Sequence, residues 1–137
     1  MSKKIKNKNS RSFFDEDIKL EKLTKQGDPL LKLNTMINFE FFRPIIDEGL
    51  KEEPAGLGGR PPYDNILKFK MLILQRYYNI SDEQLEFQVN DRLTFMRFLG
   101  LSISDDVPDC NTIRYFREKL ASKKIIDKLF NEFDKYL

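Results

Sequence analysis

The chain has 137 residues, of which 40% are hydrophobic and 34% are charged, and this suits one globular domain. One cysteine and no histidine exclude a disulfide framework, a Cys/His zinc site and catalysis by an imidazole base. The longest apolar run, residues 71–74, is far too short to span a bilayer, and the N-terminus has no signal-peptide core. We therefore expect a cytoplasmic protein with no membrane partner and a reduced Cys110.

Both ends of the chain are basic, whereas the middle is acidic. Residues 1–12 contain no acidic side chain and carry five basic ones: Lys3, Lys4, Lys6, Lys8 and Arg11. We predict a basic flexible tail over residues 1–12, followed by a globular domain over residues 13–137. The tail is either simply solvated or an arm whose lysines Lys3, Lys4, Lys6 and Lys8 contact DNA phosphates.

Hydrophobic periodicity predicts helices throughout the chain and no strand. In the first half, helices are expected over residues 13–25, 29–36 and 39–50. Asp28 and Asn38 are the expected N-caps of the second and third helices. Pro44 argues against an unbroken third helix. The glycine- and proline-rich residues 51–62 predict a long loop and a possible hinge.

The second half is predicted to contain five helices, over residues 65–78, 82–92, 94–99, 110–120 and 123–137. Asp64, Ser81 and Asp109 are the expected caps, and Gly100 is the expected stop signal of the short helix. The helix over residues 65–78 is apolar around most of its circumference, which is typical of a buried central helix. The prediction is an all-α, compact helical domain with a helix-turn-helix-like C-terminal half.

The helix over residues 110–120 is the candidate recognition helix. At about 100° per residue, Ile113, Phe116 and Leu120 share the inward face. The outward face and its flanks carry the candidate DNA-binding residues: Asn111, Arg114, Tyr115, Arg117, Glu118 and Lys119. Asparagine can bond adenine and arginine can bond guanine through paired hydrogen bonds. The alternative is an ordinary amphipathic helix with a solvated polar face.

Two arginines beside the short helix are further candidates. Arg92 and Arg97 could contact phosphates, but we favour surface ion pairs with Asp91 or Glu86. The carboxylates at positions 105, 106 and 109 are best interpreted as loop residues and a helix cap. We therefore expect no catalytic residue, no metal site and no cofactor in this chain.

Several blocks of the sequence resemble the N-terminal domain of insertion-sequence-five (InsH-like) bacterial transposases. They are residues 59–64 (GRPPYD), 80–85, 91–101, 107–113 and 116–117, and the likeness extends over roughly residues 28–120. The family often has His-Ser where this chain has Cys110-Asn111, a departure at the start of the candidate recognition helix.

The resemblance implies a helical DNA-binding module that precedes an RNase H-like catalytic domain, which holds two metal ions through three carboxylates. No predicted strand in this chain could build that domain. The expectation is a non-enzymatic module that recognises double-stranded DNA at transposon ends, either truncated before the catalytic domain or excised from a longer protein. The alternative is a protein-interaction module that pairs with a full-length transposase, or with a second copy, and modulates it.

Overall fold

The computed structural model describes residues 8–51 and 63–137, with side chains from residue 14 onward in the first range. All regular secondary structure in these ranges is helical, which confirms the predicted all-α class. The elements are α1 (Lys8–Gln26), α2 (Pro29–Met36), a 3-10 helix (Phe39–Phe42), α3 (Arg43–Leu50), α4 (Asn65–Tyr78), α5 (Asp82–Asp91), α6 (Leu93–Leu99), α7 (Cys110–Ser122) and α8 (Ile126–Asp134). None of these helices combines the length and the apolar composition required to cross a bilayer.

The predicted caps form in the structure. The Asp28 carboxylate accepts a hydrogen bond from Leu30 N at 3.0 Å, and Ser81 Oγ accepts one from Gln84 N at 3.1 Å. Asn38, Asp64 and Asp109 cap their helices in the same way. Each cap supplies an acceptor for a backbone N–H group that has no partner within the first turn. Gly100 ends α6 with a left-handed φ of 77°, as expected for a glycine after the last helical residue.

Several helix boundaries differ from the predictions. α1 begins at Lys8 rather than at residue 13. The third predicted helix divides into the 3-10 helix and α3, so that Pro44 lies in the first turn of α3, where its missing N–H group costs nothing. The last helix begins at Ile126 rather than at residue 123, because Lys124 has a left-handed φ of 60° and breaks the path between α7 and α8. Residues 52–62 of the predicted hinge lie outside the described ranges.

α4 forms the centre of the domain, as its composition predicts. Seven of its residues are buried, among them Ile73 and Leu74, and it packs against the 3-10 helix, α3, α5, α6 and α7. Aromatic rings from its neighbours surround it, including Phe42, which lies 4.9 Å from the Phe69 ring centre. Burying each large apolar side chain contributes roughly 1.5–3 kcal/mol, so this helix supplies much of the stability of the domain.

The core determines which face of α7 is exposed. Ile113, Phe116 and Leu120 are buried as predicted, and α7 packs mainly on α4 and α5, with further contacts to α3 and α8. Since these residues occupy one side of the helix, the polar residues between them are directed to the surface or toward α5.

Candidate nucleic-acid interface

The first two turns of α7 present polar side chains at the surface beside α5. The Asp109 carboxylate caps α7 through Thr112 N at 2.7 Å, and Cys110 N donates to Glu86 Oε1 of α5, also at 2.7 Å. These two bonds fix the start of α7 against α5. Asn111 is exposed, and the Tyr115 side chain is 57% exposed, as the sequence predicts.

Arg114 is held at this surface by three acceptors. Its Nε donates to Asp82 Oδ2 at 3.1 Å, its Nη1 to Asn111 Oδ1 at 3.0 Å and its Nη2 to Glu83 Oε1 at 2.9 Å. The hydrogen bond to Asp82 is the main cause that raises the pKa of Arg114, and the bond to Glu83 adds to it. Arg114 therefore points outward, as predicted, but its guanidinium is oriented by two acidic residues of α5.

Arg117 makes a more enclosed interaction with the same carboxylate. Its Nη1 and Nη2 donate to the two oxygens of Asp82 at 2.7 and 2.9 Å, and Nη1 also donates to Gln75 Oε1 at 2.9 Å. Gln75 Nε2 in turn donates to Asp82 Oδ1 at 2.7 Å. This candidate DNA-binding residue therefore joins α7 to both α4 and α5. Paired Arg–carboxylate bonds of this kind are both strong and geometrically specific.

Asp82 is the acceptor shared by these groups, and its side chain is only 9% exposed. The hydrogen bond from Arg117 holds the pKa of Asp82 well below its usual range, and bonds from Gln75 and Arg114 lower it further. Burial opposes this lowering, because removal from water disfavours a carboxylate. The result is an Asp82 cluster, composed of Gln75, Asp82, Arg114 and Arg117, in which the carboxylate stays ionised at neutral pH.

The remaining candidate residues of α7 lie further along the helix. Lys119 Nζ lies 5.5 Å from the centre of the Tyr115 ring, within the range of a cation–π contact. Glu118 is exposed on the same side as Tyr115. The structure thus brings five of the six candidates, Asn111, Arg114, Tyr115, Glu118 and Lys119, onto or beside one polar face, while Arg117 turns toward the core.

Arg97 has a different partner from the one predicted. Its Nη2 donates to Asp28 Oδ2 at 2.7 Å and its Nη1 to Thr24 Oγ1 at 2.7 Å, so the expected pair with Asp91 or Glu86 is wrong for this residue. The reason is that α6 packs on α1 and α2, which brings Asp28 to the guanidinium.

Arg92 and the basic N-terminus complete the predicted set. The Arg92 guanidinium lies 5.2 Å from the centre of the Phe95 ring. Glu86, one of the two carboxylates expected to pair with Arg92, accepts a hydrogen bond from Cys110 N. Lys8 begins α1, whereas Lys3, Lys4 and Lys6 lie outside the described residues. In the part of the chain that the structure describes, no group of three metal-ligating side chains comes together.

Sequence patterns do not reveal the acidic partners of the candidate recognition helix. They assign Asp82 and Glu83 only to the first turn of a capped helix, and Gln75 to a helix that is apolar around most of its circumference. A signal is nevertheless present, because two arginines three residues apart on α7 face two adjacent acids on a preceding helix. Opposite charges that face each other on packed helices can form ion pairs.

A family model described as "Transposase domain (DUF772)" matches residues 18–119. The match covers most of the chain and spans α2 to α6, about half of α1 and all but the end of α7. The protein therefore belongs to this transposase domain family. No solved structure matches the chain.

Proposed function

We propose that this transposase domain binds double-stranded DNA at transposon ends, with α7 as the recognition helix of a helix-turn-helix formed by α5, α6 and α7. We further propose that it belongs with the insertion-sequence-five (InsH-like) transposases. The family match supports a role in transposition, and the blocks at residues 59–64, 80–85, 91–101, 107–113 and 116–117 support the narrower assignment.

The observation that carries the proposal is the division of α7 into two faces. One face is anchored in the core through Ile113, Phe116 and Leu120, whereas the opposite face exposes Asn111 and Tyr115 in the first two turns. A recognition helix requires this combination, because a rigidly seated helix must offer polar side chains to base edges near its N-terminus.

The roles of the side chains follow from their chemistry. Asn111 can form two hydrogen bonds with adenine, and Arg114 can do so with guanine. Lys119 is suited to a phosphate, and Tyr115 offers both a ring and a hydroxyl group. Glu118 can accept a bond from a cytosine amino group, and Arg117 supports the helix from behind through Asp82.

The basic groups outside α7 have a different part in this proposal. Lys3, Lys4, Lys6 and Lys8 are assigned to phosphates, which strengthen binding to any sequence. Arg92 is exposed and can do the same, whereas Arg97 is engaged with Asp28 and contributes to folding instead.

Catalysis is not part of the proposed role. We assign end recognition to this chain, with strand cleavage and joining left to an RNase H-like domain in a full-length transposase. The purified chain is then expected to show no Mg²⁺-dependent nicking of transposon-end DNA. Nicking that co-purifies with the chain and is lost on adding a chelator would contradict this assignment.

The test of the proposed function is DNA binding across a salt series. The probes are duplexes from the DNA that flanks the gene on each side and scrambled duplexes of the same composition. Tighter binding to a flanking duplex at every salt concentration, with affinity falling steeply as salt rises, is the expected result. Equal affinity for flanking and scrambled duplexes, or no binding at low salt, would contradict it.

A second function, association with a full-length transposase, is favoured by the exposed side of α1. Phe14 and Ile18 lie one turn apart on this helix and are 61% and 48% exposed. Apolar side chains in this position are suited to contact with another protein. Co-purification that survives high salt in the wild-type chain and is lost in Phe14→Ser/Ile18→Ser would support this function. Unchanged co-purification in the variant would exclude this surface.

A further inference from the structure

We propose that Glu83 is a specificity-determining residue, which positions the Arg114 guanidinium for contact with a base edge. The inference rests on the proposed function, because it assigns a role within the same DNA interface. It concerns a residue of α5 rather than of the recognition helix. Its basis is the geometry of the ion pair between Glu83 and Arg114 at the surface of the domain.

The donors of Arg114 divide into two groups. A guanidinium carries five N–H donors in one plane. The bonds to Asp82, Asn111 and Glu83 use three of them, through Nε, Nη1 and Nη2. Each Nη group carries a second N–H that is not engaged in these three bonds. An arginine that keeps two N–H donors for a base can pair them with the O6 and N7 acceptors of guanine.

The contribution of Glu83 differs from that of Asp82. Asp82 is nearly buried and also binds Arg117 and Gln75, so that it holds the helices together whether or not Arg114 is present. The Glu83 side chain is 66% exposed, and it accepts a hydrogen bond from Arg114 Nη2 of α7 at 2.9 Å. Glu83 therefore affects the orientation of Arg114 with little consequence for the core.

Orientation matters because arginine has a long and flexible side chain. A guanidinium fixed by a carboxylate in the correct plane loses less conformational freedom when it meets a base. The negative charge of Glu83 also opposes a phosphate that approaches Arg114, which disfavours binding to DNA without the matching base. Both effects raise the ratio of affinities for matched and scrambled DNA, rather than the affinity for all DNA.

The experiment measures that ratio in four proteins: wild type, Glu83→Ala, Asp91→Ala and Arg114→Ala. Asp91→Ala is the matched control, since it removes one exposed carboxylate from the same helix. Flanking and scrambled duplexes are titrated at several salt concentrations. We expect Glu83→Ala to lower the ratio by at least about threefold, a part of the roughly five- to 150-fold that one good base contact provides. Asp91→Ala is expected to strengthen binding to both duplexes alike and leave the ratio unchanged.

A double variant tests whether Glu83 acts through Arg114. In the Arg114→Ala background, Glu83→Ala should lower the ratio no further, because the group that it positions is absent. Thermal unfolding of Glu83→Ala should resemble that of the wild type, so that a loss of folding does not account for the change.

Three results would overturn the inference. The first is an unchanged ratio in Glu83→Ala when the wild type discriminates between the duplexes. The second is an equal fall of the ratio in Asp91→Ala. The third is a further fall in the double variant. A wild-type chain that does not discriminate at all overturns the proposed function itself, and this inference with it, so the two failures are distinguishable.

Discussion

Two arginine–carboxylate pairs in this domain have similar nitrogen–oxygen distances but differ in how deeply they are buried. Arg97 and Asp28 lie 2.7 Å apart, with side chains that are 22% and 3% exposed. Arg114 and Glu83 lie 2.9 Å apart, with side chains that are 40% and 66% exposed. The distance between the charged atoms alone therefore does not reveal the role of an arginine. Burial distinguishes an arginine that the fold requires from one that remains accessible to a partner.

The buried pair holds three helices together. Asp28 caps α2, and Arg97 reaches it from α6 while also bonding Thr24 of α1. Among the described residues, the buried Arg97 Nε has no hydrogen-bond partner, which is a cost that the other contacts must offset. An arginine that is this enclosed has little surface to offer a phosphate.

The Asp82 cluster is intermediate between the two pairs. Asp82 is nearly buried, whereas Arg117 and Arg114 are 33% and 40% exposed. One side of the cluster therefore stabilises the packing of α7 on α4 and α5, and the other side opens onto the candidate interface.

The largest expected effect is in the buried pair. Arg97→Ala leaves Asp28 nearly buried without its cation, which typically costs about 3–5 kcal/mol. Chemical denaturation at pH 7 measures the loss. The matched control is Arg92→Ala beside the same helix, where an exposed cation–π contact is worth about 0.5–1 kcal/mol. Equal losses in the two variants would show that Arg97 is no more important to the fold than Arg92.

The importance of the core is tested by truncating single buried side chains of α4. Leu74→Ala or Ile73→Ala should cost roughly 2–5 kcal/mol, because each leaves a cavity in a closely packed centre. This is a large part of the roughly 5–15 kcal/mol that stabilises a domain of this kind. Thermal unfolding of both variants gives the measurement. Unchanged melting temperatures would mean that α4 is not central.

The Asp82 cluster predicts a smaller loss that depends on pH. Asp82→Asn should cost about 2 kcal/mol at pH 7, less than for a fully buried pair because the arginines are partly solvated. The pKa of Asp82 is lower in the folded than in the unfolded chain, so its carboxylate stabilises the fold above about pH 4. That stabilisation is lost as the pH falls through the folded-state pKa.

Comparison of Asp82→Asn with the wild type at pH 7 and at successively lower pH isolates this carboxylate, because the other acidic groups titrate in both proteins. The difference in unfolding free energy should shrink below about pH 4. A difference that stays constant with pH, or that grows as the pH falls, would contradict the assigned role.

Replacement of the N-terminal lysines is expected to have the smallest effect on the discrimination between duplexes. If Lys3, Lys4, Lys6 and Lys8 meet phosphates, replacing them by Gln should weaken binding to matched and scrambled duplexes alike. The slope of log affinity against log salt should fall by about one for each phosphate that a lysine no longer neutralises. Unchanged affinity and slope would favour the interpretation of a simply solvated tail.

Local rules are sufficient to predict most of the fold. The caps at Asp28, Ser81 and Asp109 and the stop at Gly100 each depend on a few neighbouring residues, so the sequence reveals them directly. The buried face of α7 follows from periodicity in the same way. The start of α8 does not, because a left-handed residue at Lys124 has no strong sequence signal.

The candidate interface is less predictable, because its partners come from different parts of the chain. Arg97 meets Asp28 across 69 residues, and Arg114 meets Asp82 across 32. Which acid reaches which arginine depends on how the helices pack, and periodicity within one helix does not contain that information. The sequence therefore indicates which face of α7 is polar, but not which of its charges the fold itself uses.

We propose that α7 reads DNA sequence through Arg114, and one comparison tests this role directly. Wild type and Arg114→Ala are each titrated across a salt series with the matched duplex, which is the flanking duplex that the wild type prefers, and with a scrambled duplex. Melting temperatures are the control for folding. We expect the variant to lose about five- to 150-fold in affinity for the matched duplex and to relax discrimination at one base pair, while its melting temperature changes little. A variant that binds both duplexes as the wild type does would contradict the account.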